Sequence, residues 1–256
     1  VPDTPAPKHS GPKILFIDIE TSPHTAHVWQ LFDVHVSPNQ IMATGETMCV
    51  AAKWRDDRTV QFRSTHRDGA DEMLRWIHGL LDEADIVVGY NSIKFDLPIL
   101  RKDFLLAGLE PPSPFKHVDL LRTMRSTFKF PSNKLGVVTE RLGLGGKVTH
   151  AGHQLWVDCM AGDEKAWRKM TAYNRNDVVI LERLYERLLP WIPNHPNMGL
   201  WKGGHTCPNC GSGELQSRGT ARTTTRVYRR FQCNSCGKWS RAVKADKDSA
   251  VEVVAA

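Results

Sequence analysis

Runs of apolar residues broken by polar turns divide the chain into predicted elements. Ile14-Leu15-Phe16-Ile17 leads into Asp18, Ile19 and Glu20, and a short run rich in Ile and Phe predicts a buried strand. Met48 to Trp54 and Val60-Gln61-Phe62 flank the polar Asp56-Asp57-Arg58, the pattern of a hairpin. Between Asp71 and Asp82, Met73, Leu74, Ile77, Leu80 and Leu81 recur at helical spacing. Ile86 to Tyr90 predicts a second buried strand. Leu97 to Ala107 predicts a helix stopped by Gly108. His117 to Leu120 predicts a short strand. Lys134 to Leu142 and Asp163 to about Leu189 predict further helices, the last ended by Pro190 and Pro193. This order describes an α/β core, a mixed sheet covered by helices. The long connection from Thr21 to about Gly45 carries Trp29, Leu31 and Phe32. A connection of that length is expected to have a function, such as folding over the end of the first strand.

Composition narrows the class. The chain is 41% hydrophobic and 24% charged, as ordinary globular proteins are. No apolar run reaches membrane-span length, and the Pro-rich start does not resemble a signal peptide, so a cytoplasmic location is expected. The net charge of +6 is concentrated. Between Lys202 and Lys244, nine Lys or Arg face one acid, Glu214, while residues 1–201 are near neutral. A polyanionic partner is expected for that segment.

Along a strand, residues two apart share a face, so Asp18 and Glu20 point the same way at the end of a core strand. Two like charges beside an apolar core are costly unless a cation neutralises them, and an all-oxygen ligand set suits magnesium or manganese. Two further acids stand in similar settings. Asp96 follows Asn91 and Phe95 and precedes a helix with Pro98 in its first turn, where an Asp also serves as an ordinary N-cap. Asp177 lies four residues after Tyr173, on the same face of the long helix.

Asp18-x-Glu20-Thr21, Asn91-x-x-x-Phe95-Asp96 and Tyr173-x-x-x-Asp177, in that order, resemble the three motifs of DnaQ-like (DEDD) 3′–5′ exonucleases over about residues 13–190. Tyr at 173 is similar to the DEDDy subgroup. Val118-Asp119-Leu120 and Lys134-Leu135 also resemble family segments, whereas the long 22–45 insertion departs from a minimal exonuclease domain. The resemblance implies a ribonuclease H-like fold in which Asp18, Glu20, Asp96 and Asp177 converge on two Mg2+ or Mn2+ ions about 3.5–4 Å apart. It implies phosphodiester hydrolysis from 3′ ends, with Tyr173 orienting the attacking water, since a phenol of ordinary pKa near 10 is a poor base at neutral pH. Thr21, Asn91 and Phe95 would position the terminal nucleotide, Phe95 being read equally as core filling. DNA, as a single strand, is favoured over RNA because such domains often accompany replication or repair, where a further protein partner is expected. An RNA-processing or structure-specific nuclease on the same fold and a non-catalytic nucleic-acid-binding factor are the alternatives.

Cys207-x-x-Cys210 and Cys233-x-x-Cys236, each followed by Gly, predict two knuckles around one structural zinc. Four thiolates leave no open coordination place, so a catalytic zinc is not expected. Cys49 and Cys159 are expected to be buried thiols, and His205 to be a connecting residue. The segment resembles a zinc ribbon. Between and after its knuckles, Arg226, Tyr228, Arg229, Arg230 and Trp239 are candidates for contacting nucleic acid by phosphate pairing and base stacking. The expected organisation is a disordered lead-in (1–12), a ribonuclease H-like exonuclease domain (13–193), a linker (194–205), a zinc ribbon (206–244) and a tail (245–256).

Overall fold

β1, Ile14–Thr21, is the middle strand of a five-stranded sheet. The computed structural model describes residues 11–55, 57–146, 148 and 152–246, so most of the expected lead-in and tail lies outside the described residues. They form two units, the first of residues 13–184 and the second of the described residues before 13 and after 184.

In the first unit, β1 is followed by two short strands, β2 (Thr25–Ala26) and β3 (Ile41–Ala43), which pair with each other. Then come the hairpin strands β4 (Thr47–Trp54) and β5 (Gln61–Ser64) and the helices α1 (Thr65–Asp68) and α2 (Ala70–Glu83). β6 (Ile86–Gly89), α3 (Asp96–Leu106), β7 (Lys116–Asp119) and α4 (Leu120–Thr127) follow. α5 (Leu135–Arg141), α6 (His153–Met160) and the 25-residue α7 (Glu164–Leu188), as far as Leu184, complete it. The sheet order is β5-β4-β1-β6-β7, with β1 antiparallel to β4 and parallel to β6. This is the mixed sheet flanked by helices that the hydrophobic pattern predicts.

Alternation along β1 decides what each side of the sheet meets. Leu15, Ile17 and Ile19 join Met73, Ile77 and Leu81 of α2 and Leu97, Leu100 and Phe104 of α3 in one buried cluster. Each such side chain contributes about 1.5–3 kcal/mol by burial. Phe16, Asp18 and Glu20 face the opposite way. On that side Lys53, the β4 partner of Phe16, pairs with Glu182 of α7 at 2.5 Å. A one-residue slip of β1 would push both carboxylates into the apolar cluster, so the core itself fixes where they point.

The connection from Thr21 to Gly45 does not pack its large side chains. Trp29 is 98% exposed, and Leu31 and Phe32 are similarly open. What closes it is polar: Ser22 N–H donates to Glu46 O at 2.9 Å and Gly45 N–H to His24 Nδ1 at 3.0 Å.

In the second unit, the Pro-, Asn- and Gly-rich stretch around 189–202 is packed. Ile192 and Met198 are buried, and the fully buried Tyr185 pairs its hydroxyl with His195 Nε2 at 2.7 Å. Asn209 Nδ2 donates to the carbonyls of Leu189 and Ile192. α8 (Gly199–Lys202) precedes a three-stranded sheet of β8 (Leu215–Arg222), β9 (Val227–Cys233) and β10 (Trp239–Arg241), ordered β10-β9-β8. Among the described residues, no helix is long and apolar enough to cross a membrane.

Candidate metal centre and active-site cleft

β1 delivers two half-buried carboxylates where its pairing with β4 becomes irregular, between Glu20 and Thr21. α7 supplies a third, Asp177, which is 2% exposed. One carboxylate oxygen from each of Asp18, Glu20 and Asp177 can be chosen so that all lie within 4.8 Å of one another. Three like charges at that spacing need a counter-cation, and an oxygen-only set fits Mg2+ or Mn2+. The local field reports the same crowding. Burial first, then the charges of Glu20 and Asp18, pushes the Cys49 thiol well above its ordinary range. Cys49 sits opposite Glu20 in the β1–β4 register.

Asn174 ties the helix to the strand. Its side chain is fully buried, and Nδ2 donates to Asp18 Oδ2 at 2.7 Å and to Asp18 O at 3.2 Å. The same turn of α7 therefore carries both Asp177 and the group that orients Asp18. Asn174 carries no local signal in the sequence, because its partner lies 156 residues earlier.

Asp96 is the first residue of α3, and Phe95 occupies the cap position without a side-chain cap bond. The Asp96 carboxylate turns to β1 instead, where Oδ1 accepts from Ile19 N–H at 3.2 Å. It thus reaches the backbone between Asp18 and Glu20 but is not a member of the 4.8 Å cluster. Burial pushes its carboxyl well above the usual carboxylate range, while hydrogen bonds from its own backbone N–H and from Ile19 N–H pull it back in part.

The turn between β6 and α3 is held by Asp119. Its carboxylate accepts from the backbone N–H of Asn91 (3.0 Å), Ile93 (3.3 Å), Leu121 (3.0 Å) and Arg122 (3.4 Å). Asn91 adopts φ 66°, a left-handed conformation that Asn tolerates better than most residues. Gly89 is required where the strand gives way to this turn, because a Cβ there would lie 2.1 Å from Ser92 Oγ. Ser92 Oγ in turn pairs with His117 Nε2 at 2.9 Å. Two of the Asp119 partners, Leu121 and Arg122, are the local cap of α4, whereas Asn91 and Ile93 are brought to Asp119 by the parallel β6–β7 pairing, which no local pattern reveals.

Asp18, Asp177, Tyr173 and Asn91 line one cleft of about 1020 Å³, together with Arg125 and Lys134. Tyr173 is 6% exposed, with its ring edge-on to Trp156 at 6.0 Å. Phe95 is 40% exposed and is not part of the core. Thr21 ends β1 beside the irregular register with Thr47.

The second cluster is made of sulfur. The Sγ atoms of Cys207, Cys210, Cys233 and Cys236 lie within 4.8 Å of one another, with Cys207–Cys236 and Cys210–Cys233 both at 3.6 Å. A tetrahedron with metal–sulfur bonds of about 2.3 Å has edges of about 3.8 Å, so the donor set fits Zn2+. Gly211 (φ 73°) and Gly237 (φ 82°) close the knuckles, donating to Cys207 O and Cys233 O at 2.9 Å. His205 stands outside this cluster, its ring against Phe231 at 4.6 Å. Cys49 and Cys159 are buried free thiols.

Comparison with known proteins bears on the first unit above all. No match is found among curated proteins. Among solved structures, the chain is similar to the family B DNA polymerase from the hyperthermophilic archaeon Pyrobaculum calidifontis, with a TM-score of 0.53 and 21% identity. The match covers 74% of this chain and 26% of the polymerase, so the likeness is one of fold. A family model of the RNase H superfamily matches residues 15–189. That span includes β1, Asp96 and the α7 turn bearing Asp177, and on that match the chain belongs to the RNase H superfamily.

Proposed function

We propose that this protein is a metal-dependent 3′–5′ exonuclease of the DEDDy kind, acting on DNA, with a basic zinc ribbon that binds the substrate. The observation that carries the reading is the convergence of Asp18, Glu20 and Asp177 within 4.8 Å, at a cleft that Tyr173 also lines. Bound there, divalent ions would supply an activated water and a counter-charge for the leaving oxygen. Asp18, Glu20 and Asp177 would hold them, with Asp96 completing the set from its place against Ile19. Asn174 holds Asp18 in one orientation by its 2.7 Å bond. Tyr173 orients the attacking water by hydrogen bond. Arg125 and Lys134, in the same cleft, offer positive charge to the phosphates of the strand end. Asn91 and Phe95, beside Asp96, and Thr21, beside Glu20, position the terminal nucleotide.

The test is a 5′-labelled single strand incubated with Mg2+ or Mn2+ and either wild type or Asp18→Ala. The reading predicts a descending ladder with wild type and an intact strand with the variant. Equal degradation by both, or a mononucleotide released at once from the labelled end, contradicts it.

A further inference from the structure

The ribbon sheet has two unlike faces. In the β9–β10 register Trp239 lies opposite Gln232, Ser240 opposite Phe231 and Arg241 opposite Arg230. Cross-strand partners share a face, as do alternate residues along a strand. One face therefore carries Phe231 and Ser240. Phe231 is buried against the His205 ring, so this side is the small core of the unit. The other face carries Tyr228, Arg230, Gln232, Trp239 and Arg241.

On that second face each ring is backed by a guanidinium. Arg241 Cζ lies 4.0 Å from the Tyr228 ring centroid, and Arg230 Cζ lies 4.7 Å from that of Trp239. Both are diagonal cross-strand pairs, and both fall within cation–π range. Arg230 is held further, its Nε donating to Arg218 O at 3.0 Å. Trp239 is 45% exposed, so filling the ribbon's core does not account for it. The strand rise of about 3.3 Å per residue spaces Tyr228 and Gln232, the neighbour of Trp239, by about 13 Å.

We propose that this face of the ribbon is a platform for a single nucleic-acid strand, on which unpaired bases stack at Tyr228 and Trp239 while Arg230 and Arg241 meet the phosphates. The inference rests on the nucleic-acid substrate proposed above and gives that substrate a strand state. Charge complementarity names the occupant, since nine Lys or Arg against Glu214 in 202–244 suit a polyanion and not an apolar protein surface. Stacking names the strand state. A ring can receive a base only where that base is not already stacked inside a duplex. A ring already fixed by a guanidinium also loses less freedom when a base arrives. Arg229 has no part in this face, since it alternates with Tyr228 and Arg230 and lies on the side of Phe231. Arg241, which the sequence pattern did not single out, does.

The test measures binding apart from cleavage. Full-length protein carrying Asp18→Asn is titrated into fluorescein-labelled dT12, U12 and a 12-base-pair duplex, and zinc content is measured for each variant. Trp239→Leu keeps an apolar side chain that cannot stack, and Trp239→Phe keeps a ring. The platform predicts that Trp239→Leu weakens binding to at least one single strand about five-fold or more. It predicts that Trp239→Phe stays within about two-fold of the parent and that duplex binding is unaffected by either. Arg241→Gln should lower the slope of log affinity against log salt by about 0.7 on single strands. Single-strand binding unchanged in Trp239→Leu, or weakened equally for strand and duplex, overturns the platform. Strand binding that depends on Trp239 in a protein whose wild type cleaves nothing would overturn the nuclease reading alone.

Discussion

The side-chain amide of Asn174 donates to the Asp18 carboxylate at 2.7 Å and to the Asp18 carbonyl at 3.2 Å, joining α7 to the end of β1. Hydrogen bonds to a charged partner are worth about 1.5–3 kcal/mol, and this one also selects the direction of a carboxylate in the acidic cluster. Asn174→Ala should therefore lower stability by about 2 kcal/mol in urea unfolding and cut nuclease turnover about ten-fold or more. Asn174→Asp should do worse on both counts, since it places another negative charge beside Asp18 in a fully buried position. Wild-type turnover in Asn174→Ala would show that Asp18 needs no such support.

Asp119 satisfies four backbone N–H groups at two junctions, the 91–93 turn and the start of α4. Asp119→Ala leaves those donors without the carboxylate in a buried site, at a cost of about 2–4 kcal/mol. The measured quantity is the urea midpoint. Asp119→Asn, which keeps one acceptor oxygen, is expected between the alanine variant and wild type.

The pH dependence of stability should carry the mark of His117. Burial, the largest influence, lowers its pKa from the ordinary 6.5 to about 4, with Asp119 opposing and Arg101 and Arg122 assisting. Between those values the unfolded chain binds a proton that the folded chain does not. Stability should thus be full above about 6.5 and decline as pH falls toward 4. Melting temperatures recorded from pH 7 to 4.5 should fall more steeply for wild type than for His117→Gln. Parallel curves would rule out a titrating role for His117.

Four thiolates around one zinc should give one zinc per chain on release, and none in Cys207→Ser/Cys236→Ser. Loss of zinc should unfold the β8–β10 ribbon and weaken single-strand binding, while the far-ultraviolet signal of the helices persists. Full binding without zinc would mean that the ribbon takes no part in holding the strand.

The legibility of this protein in its sequence follows how local each signal is. β1 and α7 are readable because their apolar periodicity is local, and two residues of β1 carry the acids that define its exposed end. The alternation of Tyr228 and Arg230 against Arg229 and Phe231 is local too, and it separates the two faces of the ribbon. Asn174 is not readable, because its meaning is a bond across 156 positions. Nor is Arg241, whose ring partner depends on the β9–β10 register. At Asp96 the local rule misleads: an Asp before Pro98 reads as a helix cap, yet tertiary contact with Ile19 takes the carboxylate instead. The stretch from Trp191 to His205 reads as linker by its Pro, Gly and Asn content. Two of its apolar residues, Ile192 and Met198, are nevertheless buried, and Asn209 and Lys238 satisfy the Ile192 carbonyl.

The metal-binding role of the acidic cluster is open to direct observation. Crystals soaked in millimolar Mn2+ and measured at the manganese edge should show anomalous density between the carboxylates of Asp18, Glu20 and Asp177, and Asp177→Asn should abolish or weaken it. Wild-type crystals that bind manganese elsewhere, or nowhere, would contradict the account.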